Sequence, residues 1–360
     1  MTNTKVAIIG AGLAGLTAAR LLHKAGVDFH LFEARGRAGG RILTVDERGE
    51  PAEDGFDLGP SWFWPQMQPV MGKLVDELGL PFFCQHSVGD VVFERMSREG
   101  PHRMPGMGQE PKSLRLAGGT ASLVRALIGE VPQDRLHFGT SVDALRLIDG
   151  GVEVTVGSRT VTASDVIAAL PPRLFAERVQ MEPAPEAADL ARWQATATWM
   201  APHAKVFAIY DRPFWRGAGF CGTAQSMVGP LAEIHDATTA SGKAALFGFV
   251  GVAAANRAAL GEEAIIRAAV QQFVRLFGTE AANPVATLVK DWAQDPLTAT
   301  AADSTPAGHP SATSSAWVNG AWEGHLHMAG SETSPSEPGF LAGAVEAAAL
   351  SVRRILDRRS

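Results

Sequence analysis

The chain opens with a short apolar run, Val6-Ala7-Ile8-Ile9, whose length and β-branched content predict a strand. It passes through Gly10-Ala11-Gly12-Leu13-Ala14-Gly15 into an Ala/Leu-rich stretch with helical character, and a second strand-like run, Val27 to Phe32, stops at Glu33. Apolar spacing predicts helices over 71–78 and 121–128, and the Gly/Pro/Met-rich stretch 98–111 reads as a loop or hairpin. Segments 136–138, 141–148 and 152–156 read as meander strands turned by Gly150-Gly151, and Asp165 to Pro172 as a buried strand running into a loop. Near Pro183 the composition shifts toward Ala, Trp and charged residues. There the pattern predicts a strand over 205–210, a turn over 211–215, a strand over 244–250 and an amphipathic helix over 262–277. From Val285 the chain returns to strand and Pro/Gly-rich loop, ending in His327-Met328-Ala329-Gly330 and an Ala-rich helix over 343–356. Strands and helices alternate without one clean βαβ period. We therefore expect an α/β chain of two domains, one assembled from 1–65, 112–182 and 285–360, the other an α+β unit inserted as 66–111 and 183–284.

The first turn carries chemistry. Gly10 permits a tight turn, Gly12 lets backbone approach a pyrophosphate, and Gly15 lets helix and strand pack closely. Ala14 sits in the first helical turn, where free N–H groups and the positive dipole end suit phosphate. Glu33 ends the second strand, where an acid accepts from both ribose hydroxyls and repels a 2′-phosphate, so the ligand is FAD or NAD rather than NADP. Ala34, Arg35, Arg37, Gly39-Gly40 and Arg41 follow directly. A second glycine pair flanked by arginines suits a second approach to the pyrophosphate, with guanidinium balancing its charge.

Of the 360 residues, 38 are acidic and 32 are Lys or Arg, giving a net charge of −6 and no basic footprint for nucleic acid. Cys84 and Cys221 lack metal spacing, no HxxxH or HExxH pattern occurs, and His325 and His327 alternate on an expected strand. No metal site is expected. No apolar run reaches the ~18 residues of a membrane span, and the first strand starts almost at Met1. The expectation is a cytoplasmic protein, monomer or homodimer, without membrane or nucleic-acid partners.

These segments together resemble the flavin monoamine oxidases of the flavin-containing amine oxidase superfamily, over nearly the whole chain. The likeness rests on Glu33 through Gly39-Gly40-Arg41, on Asp57-Leu58-Gly59, on Gly118-Gly119, and on the turn Ala168 to Pro172. It rests further on Lys205 to Gly222 with its Pro213-Phe214-Trp215, on Ala329 to Ser334, and on Pro338 to Glu346. The resemblance implies a Rossmann-like FAD-binding domain with an inserted α+β substrate domain. It implies FAD contacts from Gly59, Pro60, Ser61 and Trp62, from Val142 through its backbone at the adenine, and from Gly330, Ser331, Glu332, Thr333, Phe340 and Leu341. Lys205 matches a lysine that holds a water beneath flavin N5, and Trp292 a tryptophan packed near the isoalloxazine. Phe340 falls where many members place a tyrosine, one wall of an aromatic cage.

Two departures matter. The stretch 298–303, where mammalian members carry a flavin-linked cysteine and the second cage aromatic, holds neither, which implies non-covalent FAD. Trp62, Trp64 and Trp199 are candidates for the missing wall, though each reads more readily as core. The chain is also shorter than typical members. The implied activity is hydride transfer from the α-carbon of a small amine to flavin N5, hydrolysis of the imine, and reoxidation by O2 with release of H2O2. Aromatic-rich, acid-poor candidates for the pocket lean toward a hydrophobic amine. Two rival readings are an FAD-dependent desaturase of a hydrophobic substrate and a non-catalytic redox-sensing flavoprotein.

Overall fold

A computed structural model describes residues 2–96, 98–106, 108, 110–305 and 308–359. Its scaffold is two large sheets. The first has eight strands: 136–137, 29–32, 2–9 and 159–168 run side by side in parallel, and 326–328 joins 159–168, also parallel. An antiparallel meander, 142–148 and 151–156, continues from 159–168, and 180–182 closes that edge. Val6 and Ile8 are fully buried against helices Leu13–Lys24, Ala121–Gly129 and Leu341–Asp357, while Ala7 and Ile9 are buried on the opposite face with Val154, Phe175 and Trp193. Side chains alternate across a strand, so a strand covered on both faces reads as one continuous apolar run.

The second sheet has seven strands in the order 286–291, 204–210, 244–250, 231–236, 220–226, 90–94 and 102–104. Val206 and Ala208 face Phe273 and Leu276 of helix Glu262–Phe277. Glu262 and Glu263 occupy that helix's first turn, with glycines at positive φ on either side, Gly261 at 78° and Gly278 at 102°. The charge and the glycine conformations bound the element. Phe207 and Ile209 point the other way, onto Val45, Phe56 and Leu58 of the chain segment leaving the first domain. Residue 205 has the parity of 207 and 209. The two-residue period therefore turns Lys205 toward this seam between the layers.

The expected domain boundaries change in three places. Strand Ala286–Asp291, assigned by sequence to the FAD-binding unit, is hydrogen-bonded along Ala204–Ile209 in the second sheet. Helix Ala187–Ala195 and helix Pro69–Glu77, assigned to the inserted unit, pack on the first sheet through Trp193 and through Met71, Leu74 and Val75. Amphipathic period shows that a face is buried but not which layer buries it. The stretch 98–111 contains a hairpin strand, His102–Met104, paired with 90–94; Met107 and Gln109 lie outside the described residues.

Candidate active site

A cavity of about 510 Å³ opens where strands 2–9 and 29–32 end and the second sheet meets the first. One stretch of its wall is backbone. Gly10 has φ 99°, and a Cβ there would lie 2.8 Å from Leu170 and 3.0 Å from the Ala169 carbonyl. A Cβ on Gly12 would meet nothing within 4 Å, so this glycine leaves room for a ligand. A Cβ on Gly15 would fall 1.8 Å from the Gly10 carbonyl, which makes Gly15 a packing residue. Gly15 lies off the cavity wall, whereas Gly10, Gly12 and Ala14 line it. Helix Leu13–Lys24 begins there with no side-chain cap, leaving its first N–H groups for an anion. Gly39 bridges to Gly12 and donates its N–H to the Ala11 carbonyl at 2.8 Å, bringing the second glycine pair beside the first turn.

The acid and arginines are already partnered. Glu33 accepts from the Ala11 N–H at 2.7 Å and the Arg35 N–H at 2.8 Å, which fixes its carboxylate on the wall with lone pairs to spare. Arg35 pairs with Asp295 at 2.9 Å and donates to Thr298. Arg41 pairs with buried Glu332 at 2.6 Å and donates to the Trp199 carbonyl at 2.7 Å. Burial alone would raise Glu332, but the Arg41 charge and hydrogen bonds outweigh it and hold its carboxyl below the usual range. Arg37 spends its guanidinium on the carbonyls of Ala38, Gly40 and Ile42. Arg35 and Arg41 therefore enter the wall already ion-paired, and Arg37 ties the loop behind it.

A second stretch of wall is aromatic, with Trp62, Trp64, Trp199, Phe249 and Phe340, and the same cavity is lined by Lys205. Lys205 is 1 % exposed, and its Nζ reaches the carbonyls of Asp57 at 3.2 Å and Gly59, and Ser61 Oγ at 3.1 Å. It also lies over the faces of Phe247 and Phe249 at 4.7 and 5.2 Å. Burial pushes the Lys205 ammonium down to about 7, Arg115 adding to the effect and Asp57 opposing it.

All of Ala34, Gly40, Gly59, Pro60, Ser61, Val142, Gly330, Ser331 and Leu341 also line the cavity. Three expected contacts fall behind the wall, and of these Thr333 spends its hydroxyl on the carbonyls of Met328 at 3.2 Å and Gly330 at 2.8 Å. Trp292 is fully buried, donates its indole N–H to Leu58 at 3.1 Å and lies under Lys290. Glu332 faces Arg41 and the Trp199 N–H. Its short turn, Ser331–Thr333, has no side-chain cap.

The three tryptophans that read more readily as core all line the cavity instead. Trp64 meets Phe340 edge-on at 6.3 Å, and His309 is stacked between Phe340 at 4.4 Å and Trp199 at 4.2 Å. Beside Trp199, Met200 lines the cavity at φ 69°, the one positive-φ residue other than glycine among those described. Sequence reasoning missed His309, Met200 and Arg115. No periodicity or motif marks them.

A glycine-rich βα turn, an acid ending the second strand and an extended cavity running onto a second domain define a dinucleotide-binding flavoprotein class. The sequence profile of flavin containing amine oxidoreductases matches residues 85–356, and that of an NAD(P)-binding Rossmann-like domain matches residues 8–78. The chain belongs to the flavin-containing amine oxidoreductase family, is an oxidoreductase acting on amines, and uses FAD. It is 28 % identical to a putative flavin-containing monoamine oxidase of Mycobacterium tuberculosis over 94 % of both chains. It is 24 % identical to putrescine oxidase of Kocuria rosea over 81 % of this chain and 83 % of that one. It is 23 % identical to pig amine oxidase B over 98 % of this chain and 86 % of that one. In fold it matches a variant of putrescine oxidase, with TM-score 0.82 and 21 % identity over 99 % of both chains. Cyclohexylamine oxidase from Brevibacterium oxydans IH-35A follows with TM-score 0.81 and 20 % identity, also over 99 % of both. No helix among the described residues is long and apolar enough to cross a membrane, and they contain no metal-binding cluster.

Proposed function

We propose that this protein oxidises a hydrophobic or aromatic monoamine at its CH–NH unit, water then hydrolysing the imine to a carbonyl compound and ammonia or a smaller amine. O2 is the final acceptor, giving H2O2. FAD, held without a covalent link, supplies the two-electron acceptor for this chemistry. Glu33 would hold its ribose, the Gly10–Gly12 turn with Gly39-Gly40 its pyrophosphate, and the Val142 backbone its adenine. Trp62, Trp64, Trp199 and Phe340 exclude water and orient an apolar amine, and Lys205 holds or moves a proton at Nζ. In its ammonium form Lys205 stabilises negative charge developing on oxygen.

The observation that carries the substrate class is the distribution of acids. Glu33 and Asp143 are the carboxylates in the cavity wall among the described residues, and both lie with the dinucleotide-binding set. None lines the wall among the aromatic rings; of the carboxylates buried behind it, Glu332 is paired with Arg41 and Asp57 accepts from Thr44 and Thr120. The second ammonium of a diamine finds no counter-charge there, which sets this wall apart from what a diamine such as putrescine requires.

The test is anaerobic mixing of the yellow protein with benzylamine, cyclohexylamine and putrescine while following the oxidised-flavin band. Bleaching at least tenfold faster with the monoamines, and recovery of colour with H2O2 on admitting air, is expected. Faster bleaching by putrescine, or none by any amine, would overturn the proposal.

A further inference from the structure

Behind the cavity wall, Lys205 shares the seam between the layers with two more buried ionisable groups. Asp57 is 2 % exposed and Arg115 is 5 % exposed. Asp57 Oδ1 accepts from Thr44 Oγ1 at 2.6 Å, the Thr120 N–H at 2.8 Å and Thr120 Oγ1 at 2.9 Å. Arg115 donates to the carbonyls of Thr238 at 2.9 Å and Ala237 at 3.2 Å. Asp57 Oδ2 and Arg115 Nε have no hydrogen-bond partner among the described residues, and no ion pair joins the two side chains. Neither charge is neutralised by direct pairing, so each acts on its surroundings through a low-dielectric interior.

The other charges facing Lys205 are accounted for. On the neighbouring strand 286–291, Lys290 stands opposite Lys205 in register and pairs with Asp295 at 3.2 Å, an acid it shares with Arg35. On the other side, strand 244–250 presents only Phe247 and Phe249. On its own strand's approach, His203 is held below the usual histidine range by burial, with Arg257 and Lys205 contributing. Arg257 is itself matched by Asp291 at 2.6 Å. Beyond Arg115, Asp236 is matched by Arg216 at 2.7 Å. What remains is two buried cations, Lys205 and Arg115, facing one buried anion, Asp57. These three groups sum to zero only when Lys205 is uncharged.

We propose that Arg115 and Asp57 are positioning residues for the amine-oxidising site, whose opposed charges in the buried seam set the protonation of Lys205. Arg115 favours the free amine, which can give two N–H donors to the Asp57 and Gly59 carbonyls and accept from Ser61. Asp57 favours the ammonium. Ordinary lysines are ammonium throughout the neutral pH range. This inference rests on the proposed role of Lys205, but its test reads the charge of Nζ directly.

The protein has only seven lysines, so 13C spectra of holoprotein labelled at lysine Cε resolve them, and Lys205→Met identifies the Lys205 signal. Its midpoint is expected at about 7. Arg115→Met removes a repelling cation and should move the midpoint up by about one pH unit, Asp57→Asn should move it down by about one unit, and Arg115→Lys should hold it. A wild-type midpoint near that of exposed lysines overturns the inference, as does one unmoved by Arg115→Met. Should Arg115→Met fail to fold, an unmoved midpoint in Asp57→Asn overturns it equally. Shifted midpoints with a flavin reoxidation rate independent of pH would leave the inference standing and remove the oxygen role of Lys205.

Discussion

The two stretches of the cavity wall are built by opposite means. The dinucleotide stretch comes mostly from residues 9–14 and 32–42, close in sequence, where backbone N–H groups and missing side chains do the work. The aromatic stretch takes single side chains from 62–64, 199–205, 249 and 340, brought together only by the packing of two sheets. In the first, a substitution acts through steric contact with fixed backbone. In the second, the neighbours are side chains, and a substitution acts through charge, ring stacking or water access. The difference is between a rigid cradle and an adjustable one.

The largest effects should fall in the cradle. Gly15→Ala places a Cβ 1.8 Å from the Gly10 carbonyl, where neither strand nor helix can yield. A loss of about 3 kcal/mol of stability is expected from overpacking, with loss of the yellow colour. Gly12→Ala meets no protein atom within 4 Å, so its melting temperature without flavin should match wild type while FAD affinity falls about tenfold, a steric clash with ligand alone worth ~1.4 kcal/mol. Equal stability losses in both variants, measured by thermal unfolding of flavin-free protein, would erase the distinction between packing and ligand glycines. Next comes the adjustable wall. Lys205→Met should slow reoxidation by O2 on the order of 100-fold and flavin reduction by amine far less. Stopped-flow traces showing the same slowing of both half-reactions would remove the oxygen role.

This contrast also explains how much could be read from sequence. The turn Gly10 to Gly15 and the acid Glu33 were legible because local spacing alone fixes their geometry. Strand 244–250 and helix 262–277 were legible to the residue, since period and bounding glycines sufficed. The placement of strand 286–291 was not, because pairing is a property of two segments and only one was being read. Trp292 shows the same limit from the other side: a tryptophan near the right motif turned out to be a floor beneath Lys290. Trp199 was undervalued because nothing local distinguishes a core tryptophan from one held at a cavity by Arg41 and Glu332. Arg115 lay in an ordinary strand, Leu114–Leu116, and only the tertiary structure reveals its charge beside the seam.

The smallest expected effect tests whether the aromatic wall is itself held under strain. Met200 sits at φ 69°, a conformation that crowds a Cβ and favours glycine. Its neighbour Trp199 is clamped on both sides of its Cα, the carbonyl by Arg41 at 2.7 Å and the N–H by Glu332 at 3.2 Å. The clamp over-determines the turn, which is how a sparsely populated backbone state persists at a functional site. Met200→Gly should relieve the crowding and stabilise the protein by at most about 1 kcal/mol, offset in part by the greater freedom of glycine in the unfolded chain. It also strips a side chain from the cavity wall, so KM for a hydrophobic amine should rise a few-fold with kcat little changed. A variant that is both less stable and unchanged in KM would mean that Met200 is neither strained nor part of the amine's surroundings. The wall would then end at Trp199.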